Sequence, residues 1–311
     1  MQESLRRGRA NKILRDLRRD WWLYLMLLPG IAYITIFKYV PMYGVTIAFK
    51  NYSIFKGFAG SPWVGMEIFE KLFAKSAFHR ALTNNIIISL EKLFCGFPTP
   101  IILSLMINEI RRSKVKKGIQ TAIILPNFIS WIVINGLLYA LFNVSTGAVP
   151  GMLRQLGSTS IPDVLSDKEH FRLFILITYL WRSGGYGTII YLSAIAGIDQ
   201  ELYEAAAIDG AGRWKQTLHV TIPGLIPTVV LLSTLAMGNV LNAGFDQVFN
   251  MYNQLVISSA DIIDTYVYRI GITNMQFSLG TAAGLFKSVV SLILVVISYS
   301  LAYKFADYSI F

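Results

Sequence analysis

The chain has 311 residues, of which 54% are hydrophobic and 15% are charged, and its formal net charge is +10. Because soluble proteins carry charge at about a quarter of their positions, this composition indicates an integral membrane protein and argues against a pair of soluble domains. The positive charge lies in short segments beside apolar runs, which favours contact with a membrane surface over binding to nucleic acid.

Six apolar stretches follow one another along the chain, each near the roughly 20 residues that a helical span of a bilayer requires. They cover about 21–40, 84–107, 119–142, 171–195, 225–249 and 279–303. Prolines such as Pro98, Pro100 and Pro126 interrupt them, which a bundle tolerates because neighbouring helices satisfy the freed backbone groups. The pattern predicts an all-α integral membrane protein, with a basic tail at 1–20 and a six-span domain at 21–311.

Lysine and arginine are distributed unevenly between the two predicted faces. Fifteen lie in the N-terminal tail, the loops after the second and fourth spans and the C-terminal tail, against eight on the opposite face. The positive-inside bias therefore predicts that both termini are cytoplasmic. We interpret the first stretch as a retained span, since it is too long for a signal peptide and no cleavage site follows it.

Motifs for catalysis, metal binding or nucleotide hydrolysis are missing from the sequence. The three histidines are far apart, and the single cysteine, Cys95, rules out a disulfide within the chain. The stretch GTAAGLFKS at 280–288 lacks the glycine that a phosphate loop needs before its lysine, because Phe286 stands there. We expect a non-enzymatic chain without a metal or cofactor, whose glycines here let the sixth span pack closely.

Polar residues in the fifth predicted span indicate a substrate pathway, since such residues are costly in a membrane. Asn239, Asn242 and Asp246 are spaced three and four apart, so one continuous helix would present them on one face. Phe245 stands beside them. Amides, a carboxylate and an aromatic ring suit sugar hydroxyls, and interhelical hydrogen bonding is the alternative.

The second and fourth predicted spans also contain charged residues. In the fourth, Arg182 and Tyr186 lie near three glycines, a combination that suits the wall of a cavity. Arg182 is then available to an anionic group or, if it lies at a helix end, extends to the interface. In the second, Glu91 and Lys92 are expected to partner each other or neighbouring helices.

The loop at 199–223, cytoplasmic in this orientation, has the periodicity of an amphipathic helix. One arc holds Tyr203, Ala207, Ala211, Trp214 and Leu218. Gly210 and Gly212 interrupt the pattern, which predicts two helices joined by a bend. Such a segment either lies in the membrane interface or docks into the groove of a partner protein.

The stretch EAAAIDGAGRWKQTLHVTIPGLIP at 204–227 resembles the cytoplasmic signature of permease subunits of binding-protein-dependent ABC importers. The matching residues are Glu204, Ala205, Ala206, Gly210, Ile222 and Pro223. The fuller string is similar to maltose-type sugar permeases. YVPMYGVTIAFKNY at 39–52, FDQVFNMYN at 245–253 and DTYVYRIGI at 264–272 resemble the subgroup for complex oligosaccharides, including uronate-containing ones.

This resemblance implies the type I ABC importer permease fold in a bacterial cytoplasmic membrane. It implies a second homologous permease, a dimer of ABC ATPases that bind ATP and Mg, and an extracellular binding protein that delivers the sugar. The 199–223 loop would be the coupling helix, with Glu204 as its polar anchor to an ATPase and Gly210 as its turn. The extracellular loop after the third span is too short for the large domain of the maltose permease.

Two other classes of protein remain as alternatives. An ion-coupled sugar carrier would work without an ATPase and often has two related halves; here no repeat is visible, and only Glu91 and Asp246 are acidic within the spans. A membrane-embedded enzyme of polysaccharide metabolism would need a catalytic cluster, which the sequence lacks.

Overall fold

The computed structural model describes residues 19–158 and 160–306, so nearly all of the predicted basic tail lies outside it. Within the described residues the chain is helical, with one isolated antiparallel bridge between Lys50 and Trp63. The predicted all-α class is therefore confirmed for this part of the chain.

The N-terminal part of the first long helix stands apart from the rest of the chain, and its C-terminal part packs against the last helix. Helix α1 (Trp21–Ile34) continues through a π-helical segment (Thr35–Tyr39) and a 3₁₀ segment (Val40–Phe49). Of residues 21–49, only Ala48 is buried. The apolar surface of this helix therefore faces outward along most of its length, as expected for a helix that contacts lipid or another membrane subunit.

The next helices are two short ones, followed by the helices of the second and third predicted spans. They are α2 (Gly57–Gly60), α3 (Glu67–Phe73), α4 (Ser76–Gly96), α5 (Pro98–Asn108), α6 (Ser113–Ile124) and α7 (Trp131–Phe142). Helices α4 and α5 join into one long helix, since Pro98 occupies a first-turn position that needs no backbone donor. The third span bends by 101° between Phe128 and Trp131, where Ser130 caps α7 by accepting a hydrogen bond from Val133 N.

The fourth span is also broken, and a short helix precedes it. The helices here are α8 (Ala148–Gln155), α9 (Phe171–Ser183), α10 (Thr188–Ala196), α11 (Gln200–Ile208), α12 (Arg213–Gln216) and α13 (Ile222–Met237). A π-helical segment (Thr217–Thr221) joins α12 to α13. The predicted fourth span over 171–195 consists of two helices, because the glycine-rich turn at 184–187 separates α9 from α10.

The fifth span ends earlier than the sequence predicted. Helix α13 stops at Met237, and α14 (Phe245–Met251) begins after Gly244, whose φ is +86°. The remaining elements are α15 (Ile257–Ala260), α16 (Ile263–Val267), a π-helical segment (Tyr268–Thr273) and α17 (Phe277–Ala306). The expected single helix over 225–249 is wrong, since a left-handed residue does not continue a right-handed helix.

Four helices in the described residues are long and apolar enough to cross a membrane, and the bent third span brings the number to five. The four are Trp21–Phe49, Ser76–Asn108, Arg213–Met237 and Phe277–Ser300. Buried residues of α4, α7 and α9 pack with α14 in the largest apolar cluster, around Ile88, Ile134 and Ile175. A second cluster joins the start of α4 to α16 and α17.

The packing role expected for the glycines of the sixth span holds at one position. A Cβ at Gly280 would lie 2.7 Å from Gly271 Cα, so the start of α17 contacts the π-helical segment backbone to backbone. Gly284 has open space where its Cβ would stand.

Candidate functional site

A cavity of about 450 Å³ lies where α4 and α5 meet α9, α10, α13 and the start of α14. Its polar and aromatic lining includes Ser89, Lys92, Trp131, Tyr179, Arg182, Asn239, Asn242 and Gln247. Of the described residues that line it, only Lys92 and Arg182 are charged. The wall therefore combines amides, aromatic rings and two cations, a set that can bind hydroxyl and carboxylate groups.

Lys92 is buried, and its ammonium group joins two spans. Nζ donates to Ala243 O and to Gln247 Oε1, each at 2.6 Å, and it lies 4.9 Å from the centre of the Tyr179 ring. Its hydrogen-bond acceptors therefore lie in α14 and in the turn before it, and the aromatic contact lies in α9. None of these contacts involves Glu91. A buried ammonium of this kind is stable only with such partners.

Gln247 extends this network into the fourth span. Its Nε2 donates to Ile175 O at 2.8 Å and to Thr178 Oγ1 at 2.9 Å. The amide thus accepts from Lys92 on one side and donates to α9 on the other. Helices α4, α9 and α14 are held in register by these bonds, which the sequence did not reveal; the only signal was a lysine within an apolar span.

Gly244 is required where it stands. Its left-handed conformation suits glycine, and a Cβ there would lie 2.9 Å from Lys92 Nζ. A side chain at this position would compete with the lysine for the space through which it reaches Ala243.

Arg182 lies in the last turn of α9, and its guanidinium is bonded to the backbone of the third span. Its Nε donates to Ile129 O at 2.9 Å and its Nη2 to Asn127 O at 3.2 Å, and its guanidinium carbon lies 4.8 Å from the Trp131 ring centre. These bonds use two of its five N–H donors. The guanidinium is thus fixed in orientation at the bend of the third span, with donors left for a ligand.

The six residues expected in the substrate pathway divide into two groups. Arg182, Asn239 and Asn242 line the cavity. Tyr186, Phe245 and Asp246 are not part of its lining. The prediction that Asn239, Asn242 and Asp246 share one helix face is wrong. The physical reason is the break after Met237, stabilised in part by a hydrogen bond from Gly244 N to Asn242 Oδ1 at 3.1 Å.

Phe245 and Asp246 lie in other surroundings. The Phe245 ring stacks on Phe249 with 5.0 Å between ring centres and contacts Tyr268. Asp246 is exposed in the first turn of α14, where a carboxylate is favoured by the helix dipole.

The glycines near Arg182 allow backbones to approach each other. A Cβ at Gly185 would lie 1.9 Å from Ile123 O, and one at Gly187 would lie 2.9 Å from Pro100 Cβ. The turn at 184–187 thus packs closely against α6 and α5. This packing sets the position of α9, and with it Arg182, relative to the cavity.

The 199–223 loop has the predicted bend. Asp199 caps α11 by accepting a hydrogen bond from Glu201 N at 3.0 Å, and Gly210 turns the chain with φ +77°. Tyr203 points toward the start of α13, where its hydroxyl lies 2.9 Å from Thr221 Oγ1. Trp214, predicted on the same arc, is 78% exposed. The single arc is therefore wrong, because the left-handed glycine gives the two helices different directions.

The exposed surface of α11 combines apolar residues with two acids, Glu201 and Glu204. Leu202 is 55% exposed and Ile208 is 87% exposed, and Glu204 and Ala205 are exposed between them. Of the other signature residues, Ala206 is partly buried, Gly210 forms the turn, and Ile222 and Pro223 begin α13 at exposed positions. Exposed apolar side chains around a carboxylate are typical of a surface that docks a partner.

Arg213 connects this loop to the end of α5. Its Nη1 lies 3.3 Å from Glu109 O and 3.4 Å from Glu109 Oε2. Thr217 Oγ1 donates to the other carboxylate oxygen, also at 3.3 Å. Helix α12 and the segment after it are therefore hydrogen-bonded to the residue that follows α5.

Comparison with known proteins identifies the class. Residues 96–307 match the family described as binding-protein-dependent transport system inner membrane component. The chain is 44% identical to Protein LplB of Bacillus subtilis (strain 168) over 98% of this chain and 95% of that protein. It is 40% identical, with the same coverage, to the polygalacturonan/rhamnogalacturonan transport system permease protein YteP of that organism.

Solved structures agree with this assignment. A chain of a bacterial ABC transporter involved in import of the acidic polysaccharide alginate matches with a TM-score of 0.87 and 37% identity, over 94% of this chain and 99% of that one. A chain of a bacterial alginate ABC transporter, in complex with a periplasmic protein bound to an alginate pentasaccharide, matches with a TM-score of 0.84 and 37% identity, over 93% and 96%.

The chain belongs to the family of inner membrane components of binding-protein-dependent transport systems. It is a permease subunit of an ABC importer, and it works with a second permease, ATPases and a solute-binding protein. The resemblance found in the sequence is confirmed, as is the expectation of a non-enzymatic transport subunit. The ion-coupled carrier has no support in these similarities.

Proposed function

We propose that this permease forms one side of the import path for an acidic, uronate-containing oligosaccharide across the bacterial cytoplasmic membrane. The observation that carries the proposal is the cavity whose described lining contains two cations, Lys92 and Arg182, and no acid. Carboxylates pair well with a guanidinium that retains free donors. The names of YteP and of the alginate transporters, all concerned with acidic polysaccharides, support the same substrate class.

The proposed topology has six spans, with both termini in the cytoplasm. The described residues contain four long apolar helices and the bent third span. We add α9 and α10 as a broken fourth span, since non-helical backbone is tolerated in a membrane where it is buried in protein or lines a cavity. The excess of lysine and arginine in the tails and in the loops at 109–117 and 199–223 supports the orientation.

In this topology α11 is the coupling helix. Its exposed face, with Leu202, Glu204 and Ile208, would dock in a groove of one ATPase, in the manner of an amphipathic helix on its partner. ATP and Mg would bind to the ATPases.

The connections of the loop suggest how its movement reaches the cavity. When the ATPases close, α11 would carry Thr221 with it through Tyr203, and thus the start of α13. Helix α13 ends at Met237, directly before Asn239 and Asn242 of the cavity wall. Rigid-body movement of α13 would therefore reorient the cavity between the two sides of the membrane, which is alternating access.

Ligand binding to the assembled importer, measured without its binding protein, tests the substrate proposal. A uronate oligosaccharide is compared with the same oligosaccharide after reduction of its carboxylates to alcohols. We expect the acidic form to bind more tightly by about tenfold, since a charge-assisted bond contributes about 1.5–3 kcal/mol, and Arg182→Gln to remove most of the difference. Arg80→Gln, exposed and outside the cavity, is the control. Equal binding of the two ligands would contradict the proposal.

A further inference from the structure

A second concave surface lies on the outside of the bundle, between the end of α5 and the segment 213–222. This groove has a volume of about 570 Å³. Its apolar wall consists of Ile102, Leu105, Met106, Trp214, Leu218 and Ile222. Polar groups occur at one end, where Glu109, Arg213 and Thr217 form the hydrogen-bonded connection described above. The groove is therefore amphipathic along its length.

Both walls of the groove belong to helices that are long and apolar enough to span a membrane. Helix α5 completes the helix Ser76–Asn108, and the opposite wall begins the helix Arg213–Met237. Met106 is 64% exposed and Trp214 78% exposed, so the groove is open in the chain itself. An indole at the end of a span is typical of the level of lipid headgroups.

The polar end of the groove carries an excess of positive charge. It shares Glu109 and Arg213 with an adjoining cavity of about 1080 Å³, which is also lined by Arg111, Lys116 and Lys117. Of the described residues that line the two surfaces, Glu109 is the only acid. Lys215 follows Trp214 in the chain and is exposed just outside the lining of both surfaces, and it forms no ion pair with any described residue. These charges are complementary to an anion at this end of the groove.

We propose that the groove binds an acyl chain of an anionic phospholipid, with the lipid phosphate at Arg213 and Lys215. One lipid molecule would then contact both parts of the surface, since its acyl chain packs against the apolar wall and its headgroup pairs with the cations. Basic pockets between membrane-spanning helices bind anionic headgroups in this way. The lipid would contact the same arginine that connects the 199–223 loop to α5, so lipid composition would influence the position of that loop.

Trp214 supplies a direct probe of the groove. The assembled importer is reconstituted in nanodiscs that contain either phosphatidylglycerol or phosphatidylcholine with brominated acyl chains, at equal mole fraction. Bromine quenches indole fluorescence on contact, and subtraction of the Trp214→Phe signal isolates this residue from the other tryptophans. We expect stronger quenching by brominated phosphatidylglycerol than by brominated phosphatidylcholine. Each basic residue at the headgroup should raise the relative affinity for phosphatidylglycerol by about fivefold.

Two variants separate the groove from the rest of the surface. Lys215→Gln should reduce the preference for phosphatidylglycerol, and Leu105→Phe, which narrows the groove, should reduce quenching by both lipids. Ile226→Phe, at an exposed position of α13 that does not line the groove, should leave quenching unchanged.

Three results would overturn the proposal. Equal quenching by the two lipids would mean that only bulk lipid reaches Trp214. No quenching by either would mean that a protein subunit covers the groove. A preference that persists in both Lys215→Gln and Leu105→Phe would place the anionic lipid elsewhere.

Discussion

Arg213 contacts both the backbone carbonyl and the carboxylate of Glu109, and so joins two loops that are 104 residues apart in the chain. The Arg213 and Glu109 side chains are about half exposed, at 52% and 43%, so their attraction contributes little to stability. The contact instead fixes the relative position of two segments. It holds the end of α5 against the segment through which the 199–223 loop continues into α13.

Removal of either partner should therefore uncouple the importer without unfolding it. We expect Glu109→Gln and Arg213→Gln to change the free energy of unfolding by less than about 1 kcal/mol, while each lowers the sugar transported per ATP. Because the two act through one contact, the double variant should be no worse than the worse single variant. Uptake and ATP hydrolysis in proteoliposomes measure this ratio.

A second exposed ion pair provides the control for that experiment. Glu67 and Lys71 form an ion pair at 2.6 Å within α3, far from the 199–223 loop. Lys71→Gln should leave the transport ratio unchanged. Losses that add in the Glu109→Gln, Arg213→Gln double variant would show that the two residues act independently.

Charge reversal at Glu204 should weaken attachment of the ATPase. A carboxylate between exposed apolar side chains suits a docking surface, and like charges placed together across an interface cost several kcal/mol. We expect Glu204→Lys to lower ATPase binding by at least about tenfold while membrane insertion stays normal, as measured by co-purification. Glu169→Lys, an equal charge reversal at an exposed position outside this loop, should bind the ATPase normally. Normal sugar-stimulated hydrolysis in Glu204→Lys would remove the docking role.

The amides of the cavity should contribute to transport, whereas Asp246 should not. Asn239 and Asn242 line the cavity, and Asp246 does not. We expect Asn239→Ala and Asn242→Ala each to raise the KM for uptake by about three- to tenfold, since a net hydrogen bond contributes about 1 kcal/mol. Asp246→Ala, in the same segment, serves as the matched control. Unchanged kinetics in both asparagine variants would return these residues to a packing role.

Loss of the Lys92 ammonium should destabilise the bundle. Lys92→Met leaves Ala243 O and Gln247 Oε1 buried without this donor. We expect a loss of about 1–3 kcal/mol, the usual cost of a buried unsatisfied polar group, as a lower midpoint of thermal unfolding in detergent. Lys168→Met, at an exposed position, is the control. An unchanged midpoint would mean that the network does not hold the three helices together.

Two glycines, one in the turn between α9 and α10 and one within α7, should respond oppositely to alanine. Gly185→Ala brings a Cβ to 1.9 Å from Ile123 O and forces the backbones apart, which should destabilise by about 1–3 kcal/mol or more. Gly136→Ala in α7 meets nothing within 4 Å and should be neutral or stabilising, because alanine favours helix. Thermal unfolding of the two variants in parallel measures the contrast. Equal midpoints would show that the close approach at Gly185 is not a packing constraint.

The sequence predicted those features that depend on composition and local pattern. Apolar length predicts helices that span a membrane, and the glycines at Gly210 and Gly212 predict the bend in the 199–223 loop. The breaks at 184–187 and 238–244 were missed because an apolar run does not show where a helix ends. They depend on tertiary contacts, such as the approach of Gly185 to Ile123 and the space that Gly244 leaves for Lys92.

The sequence predicted only part of the candidate site, because the rest also depends on tertiary contacts. Asn239 and Asn242 line the cavity from a turn, whereas the sequence pattern placed them on a helix. For Lys92 the sequence left two alternatives open, its neighbour Glu91 or another helix, because its partner Gln247 lies 155 residues away. Contacts of this length are set by the packing of whole helices and leave no periodic signal.

The first helix has a consequence for how the subunit is made. With no buried residue in Trp21–Tyr39, the N-terminal part of this helix adds almost nothing to the interior of its own subunit, whereas Val40–Phe49 packs against α17. The rest of the polypeptide can therefore reach its packed form before the N-terminal part of the helix has a protein partner. That part of the helix would then take its final position only at assembly, when a neighbouring subunit binds to it.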